Sequence, residues 1–225
     1  MQDKVLVACP HCGHQQAEPR TAFSTVCRKC GGHFHVQEVL NPVPKAAGRA
    51  PERRRVSCFD CGAELEVAAT AESTICKRCG HYVDLKDYRI ANAVSKNFKT
   101  KGAFVVEPKG YVFNTEAFVG DAVVKGRFLG KLVVERSLTI YSTAEFKGSF
   151  KTGHLMIPPQ NHFHWKELIR VASAEIAGEL VANLQVKGTI ALKSTARLFG
   201  DLEAGGLAVE EGAVVVGHLR IQPKT

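Results

Sequence analysis

The sequence predicts a mainly β chain: a parallel β-helix preceded by two small four-cysteine modules. Three observations carry this expectation. A single phrase repeats between residues 138 and 219. Apolar residues recur within it every six positions. Eight cysteines fall into two identically spaced sets of four, all before residue 80.

The repeated phrase is apolar-x-apolar, a short gap, then Ala-x-apolar-x-Gly-x-apolar. Its copies are Leu138, Ile140, Ala144, Phe146, Gly148, Phe150; then Ile169, Val171, Ala174, Ile176, Gly178, Leu180; then Ile190, Leu192, Ala196, Leu198, Gly200, Leu202; and last Leu207, Val209, Ala213, Val215, Gly217, Leu219. Alternation with period two means short strands with one buried face. The gaps are too short for helical crossovers, so the repetition points to a solenoid. Apolar positions step by six through Phe128, Val134, Ile140 and Phe146, through Leu180, Val186, Leu192 and Leu198, and through Val209, Val215 and Ile221. Three six-residue sides make one triangular turn of about 17 to 18 residues. Glycines suit the corners, where the backbone needs positive φ or close approach. An antiparallel sandwich is the competing reading, but Asn-Gly and Asp-Gly hairpin pairs are missing from this stretch.

The stretch "ARLFGDLEAGGLAVEEGAVVVGHLRI" (196 to 221) resembles the bactofilins, bacterial polymer-forming cytoskeletal proteins. The resemblance covers roughly 111 to 221. It implies a right-handed β-helix that assembles end to end into filaments without nucleotide, in a family associated with cell shape, envelope growth and the positioning of other proteins. Two features depart from the family pattern. The segment "PPQNHFHWKEL" (158 to 168) interrupts the repeat, and about 110 residues with eight cysteines precede it.

Those cysteines read Cys9, Cys12, Cys27, Cys30 and Cys58, Cys61, Cys76, Cys79, each set spaced C-x2-C-x14-C-x2-C. The sets are offset by 49 residues, and Gly13/Gly62, Ser24/Ser73, Thr25/Thr74 and Gly31/Gly80 repeat with them, so the module is duplicated. Two residues between cysteines let a tight turn aim both sulfurs at one ion, and the glycine after the second cysteine supplies a left-handed residue. Two such knuckles offer four thiolates in a tetrahedron, which suits Zn²⁺. The modules look like zinc ribbons. The expectation is two structural Zn²⁺ ions; a rubredoxin-like iron site is the chemical alternative. A closed four-sulfur shell leaves no position for substrate, and a module this small needs the metal in order to fold. His11, His14, His33, His35 and His81 are read as polar neighbours of complete sites. Arg28, Lys29, Lys77 and Arg78 either contact phosphates or screen the charged metal–thiolate group.

The expected domains are ribbon 1 at 1–40, a Pro/Arg-rich linker at 41–55 ending in Arg53, Arg54 and Arg55, ribbon 2 at 56–86, a basic tether at 87–110 that includes a possible short helix, and the β-helix at 111–221. A net charge of +8 permits an anionic partner. With no signal peptide and no long apolar run, the expected location is cytoplasmic, with the inner face of the cell membrane as a further option. His162, Phe163, His164 and Trp165 are read as a surface excursion covering one side, with a catalytic or metal lid as the alternative.

The function expected is a filament-forming scaffold, not an enzyme, with no small-molecule substrate. The partners are the protein itself, through end-to-end stacking, and a protein, nucleic-acid or anionic membrane partner recruited by the ribbons. Val215, Leu219 and Ile221 are assigned to one end, where "QPKT" leaves no capping helix, and Phe113, Phe118 and Phe128 to the other. The alternatives are a zinc-ribbon nucleic-acid-binding protein oligomerised by the β-helix, and an acyltransferase of the left-handed β-helix type. The latter keeps strict hexads that this chain breaks.

Overall fold

Inward-facing Val, Ile, Leu and Phe stack in columns along a parallel β-solenoid in the computed structural model, which describes residues 4–41 and 52–222. The chain divides into two compact units. One holds the first cysteine module; the other begins at Arg53 and holds the second module and the solenoid.

Ladder register defines three sides. On one, Tyr88, Phe104, Ala122, Leu138, Leu155, Ala174, Ile190 and Leu207 follow one another through successive parallel pairings, giving about eight turns. A second side stacks Val94, Val112, Phe128 and Phe146, then Phe163, Leu180, Leu198 and Val215. The third stacks Phe98, Ala117, Leu132 and Phe150, then Ile169, Leu184, Leu202 and Leu219. The six-residue step thus moves one side around the turn: Phe128, Val134 and Ile140 lie on three successive sides, and all are at most 3% exposed.

Corner glycines permit the stacking. Gly148 has φ of 122°, and a Cβ there would come within 2.0 Å of the Gly130 carbonyl oxygen one turn before.

Four expectations need correction. Residues 87–110 are not a tether or a helix. They form strands Tyr88–Ile90, Ala93–Val94, Phe98–Lys99 and Ala103–Val106, which make the first turns of the solenoid. Of the lysines and arginines that suggested a tether, Arg89, Lys96, Lys99 and Lys109 are exposed and Lys101 is buried, as are the apolar Ile90, Phe98, Phe104 and Val106. The linker is shorter than 41–55, because Arg53–Ser57 is a strand paired with Glu64–Ala68; residues 42–51 lie outside the described residues.

The second copy of the phrase is also out of phase. Ile169 and Val171 occupy the side of Phe150, whereas Leu138 and Ile140 occupy that of Leu155. Corner length explains the slip. Phe146 to Phe150, Leu180 to Leu184 and Leu198 to Leu202 each span four residues, but Phe163 to Ile169 spans six. Finally, 158–168 is no excursion. Strand His162–His164 is a regular rung paired with Glu179–Val181, and Phe163 is 7% exposed in the core column.

The longer corner opens a seam. The Glu145–Thr152 half of strand Glu145–Ile157 pairs with the preceding turn, but no ladder joins it to His162–His164 or Ile169–Val171; pairing forward resumes only at His154. Trp165 fills part of the gap, its ring 5.0 Å from Phe150, 5.7 Å from Phe146 and 5.8 Å from Phe163.

Candidate metal centres and assembly surfaces

Each cysteine module is two short hairpins that bring their knuckles together. Lys4–Ala8 pairs with Gln15–Pro19 and Ser24–Val26 with His33–His35; in the duplicate, Arg53–Ser57 pairs with Glu64–Ala68 and Ser73–Ile75 with Tyr82–Asp84. Gly13, Gly31, Gly62 and Gly80 all sit near φ of 70°, as knuckle turns require. The eight cysteines are free thiols, and within each set the four sulfurs lie within 4.8 Å of one another. Cys9–Cys30 is 3.8 Å, and Cys12–Cys27, Cys58–Cys79 and Cys61–Cys76 are each 3.6 Å. A tetrahedral ion with bonds of about 2.3 Å sets its sulfurs about 3.8 Å apart, so both clusters can hold one.

The knuckle backbone prepares the thiolates. The N–H of Cys30 draws Cys27 down to about 6, and the N–H of Cys79 does the same for Cys76. Cys58 is lowered by the N–H groups of Cys61 and Asp60. For Cys12 and Cys79 the N–H of His14 or His81 acts downward, but desolvation and the adjoining sulfurs outweigh it, pushing both to about 12. A four-thiol cluster thus shares its protons unevenly, and a cation would displace those that remain. Arg28, Lys29, Lys77 and Arg78 are all exposed beside the knuckles.

The second module is fastened to the solenoid by residues the sequence reading missed. Lys101, whose side chain is 5% exposed, donates to Ser57 Oγ at 2.8 Å and to Glu135 Oε2 at 2.7 Å. Ser57 donates to Glu135 Oε1 at 2.8 Å. The Lys101 ammonium lies 4.2 Å from the centre of the Phe59 ring, and Lys99 reaches Asp60 at 3.2 Å. Burial alone would raise Glu135, but the Lys101 ammonium and the Ser57 hydroxyl outweigh it and hold the carboxyl below its ordinary range. Arg136 and Ser137 likewise outweigh burial at the neighbouring Asp121. One signal was present in the sequence: at the 49-residue offset, Ser57, Phe59 and Asp60 replace Ala8, Pro10 and His11.

The two solenoid ends differ. At the C-terminal end Val209, Leu219 and Ile221 point inward yet are 53, 48 and 38% exposed, while Leu192, Leu202 and Ala204, one turn earlier in the same columns, are at most 2% exposed. Val215 is half-buried beside them. At the other end the first turn contributes Tyr88, Val94 and Phe98, not the residues expected. Phe128 is fully buried two turns inside, and Phe113 and Phe118 face outward on the sides. The expectation failed because residues 87–110 were taken for a tether, which moved the end more than one turn along. This end is more closed: Lys96 lies 5.0 Å from the Phe98 ring centre and 5.6 Å from that of Tyr88, and Tyr88 donates to Asp84 at 2.6 Å. His162 and His164 are exposed, with Glu179 3.8 Å from His164.

Among known families, the model of bactofilin, polymer-forming cytoskeletal, matches residues 76–166 and 165–220. No curated protein and no solved structure matches the chain. No helix among the described residues is long and apolar enough to cross a membrane.

Proposed function

Because the chain belongs to the bactofilin family of polymer-forming cytoskeletal proteins, we propose that it is a scaffold whose solenoids stack end on end, carrying two zinc-holding adaptor modules. The observation that carries the stacking surface is the open C-terminal turn. Val209, Leu219 and Ile221 would lose their exposed area against another solenoid end, each contributing on the order of 1 kcal/mol. The edge of strand Leu219–Ile221 would gain a ladder partner. Val215 completes this patch.

In each module four cysteine thiolates would hold zinc. The ion supplies folding energy to the hairpins, whose own cores are small. The role is structural rather than catalytic. Exposed Arg28, Lys29, Lys77 and Arg78 favour an anionic partner for the modules, either nucleic acid or the inner membrane surface, and hence a cytoplasmic site of action.

The test is negative-stain electron microscopy of the zinc-loaded chain and of Leu219→Arg. The wild type should form filaments; the variant should stay unpolymerised with an unchanged far-ultraviolet circular dichroism spectrum. Filaments of normal length from Leu219→Arg would remove this end from the contact.

A further inference from the structure

We propose that the seam beside the second ribbon is a docking groove for an extended acidic segment of a partner protein. The groove encloses about 580 Å³, within the range of ligand sites. Phe59 of the ribbon and the outward-facing Phe118 and Val133 make one half apolar. Lys151, Arg170 and Lys187 make the other half cationic, and all three are exposed. Among the described residues Arg170 donates only to the neutral Gln185, at 3.1 Å. The one carboxylate among the described lining residues, Glu135, is already held by Lys101. The groove therefore carries positive charge that the fold does not neutralise.

Among the described residues its strand edge also lacks a ladder partner on one side. Lys151 and Thr152 line the groove on the strand half that lacks a forward ladder. An extended segment can take main-chain hydrogen bonds from that edge, seat alternate side chains in the apolar half and place carboxylates on the cations. The chain's own remaining stretches do not match this demand: residues 42–51 contain Lys45 and Arg49 and no acid, 223–225 contain Lys224, and 1–3 offer three residues with a single acid, Asp3. A bilayer is also a poor fit, because Thr152 on that strand edge is only 5% exposed and a flat surface cannot reach it.

The test is fluorescence anisotropy on the zinc-loaded full-length chain, using a fluorescein-labelled ten-residue peptide that alternates Glu with Phe and Leu. Saturable binding should weaken about tenfold or more in the triple variant Lys151→Glu, Arg170→Glu, Lys187→Glu. It should be unchanged in Lys109→Glu, an exposed lysine outside the groove. An all-Glu peptide of the same length should bind about tenfold more weakly than the alternating one. Equal affinity of the triple variant and wild type would overturn the proposal, as would equal binding of the all-Glu peptide, which would mean simple charge attraction. Capture of phosphatidylglycerol vesicles by this surface in place of the peptide would reassign it to lipid.

Discussion

The two ribbons are copies of one module that have been put to different structural uses. Their cysteine geometry and framework positions agree: Val7 and Val56, Phe34 and Val83, and Val36 and Leu85 are buried in both. Their interiors differ. Ribbon 1 buries Gln16, which bonds Glu18 and the Val26 carbonyl and accepts from the Arg28 N–H, where ribbon 2 packs Leu65; Glu18 stands where ribbon 2 has the buried Val67. Their outer faces differ as well. Ser57, Phe59 and Asp60 bind ribbon 2 to the solenoid, whereas Ala8, Pro10 and His11 offer neither that charge nor that ring. A metal knuckle is thus a fixed staple around which docking chemistry can change freely, because the residues between the ligands point outward.

Removing a ligand should separate the copies most sharply. Cys27→Ser should cost ribbon 1 its ion and its fold, since metal binding supplies most of its stability. Cys76→Ser should also lose one ion per chain, yet leave partial protection around Ser57 and Leu85, held by Lys101 and the larger apolar cluster. Metal content together with amide hydrogen exchange, read by mass spectrometry, checks both; equal exchange in the two modules would mean that docking adds nothing.

A smaller effect is expected from Lys101→Met, which removes the charge between Ser57, Phe59 and Glu135. The loss should be about 1–3 kcal/mol, seen as a lower urea midpoint for ribbon 2 with that of ribbon 1 unchanged. Acid should act in the same place. Glu135 and Asp121 have folded values below their unfolded ones, so their contribution is complete above about pH 4.3 and is lost as pH falls through the lower folded values. The stability of ribbon 2 should therefore drop below about pH 4 more steeply in the wild type than in Glu135→Gln. Smallest is the double change Gln16→Leu, Glu18→Val, which gives ribbon 1 the interior of its copy. We expect a shift of about 1 kcal/mol or less towards the folded metal-free state, measured by thermal unfolding in chelator.

The sequence made the period legible because a solenoid repeats its burial pattern. Phe128, Val134, Ile140 and Phe146 announce three sides, and the cysteine spacing announces two metal clusters. What it concealed has physical causes. Strands of two or three residues, such as Ala93–Val94 and Phe98–Lys99, are too short for alternation to register, and their outward lysines read as a linker. A corner two residues longer than its neighbours disguised Phe163 as an interruption. The Lys101 clamp joins residues 34 and 44 positions apart, which no local pattern reports.

The seam has a mechanical meaning. A rod of stacked turns resists bending because every side is tied to the next by hydrogen bonds, which stretch little. Between Glu145–Thr152 and the following turn two of the three sides lack that tie, and an aromatic cluster stands in its place. Ring packing is less directional than a hydrogen-bonded ladder and tolerates small displacements at lower cost. Bending should therefore concentrate at this one level, with the ladder from His154 to Ile157 as its pivot. A polymer of such units would behave less like a uniform rod than like a string of stiff segments, with one compliant joint in each subunit.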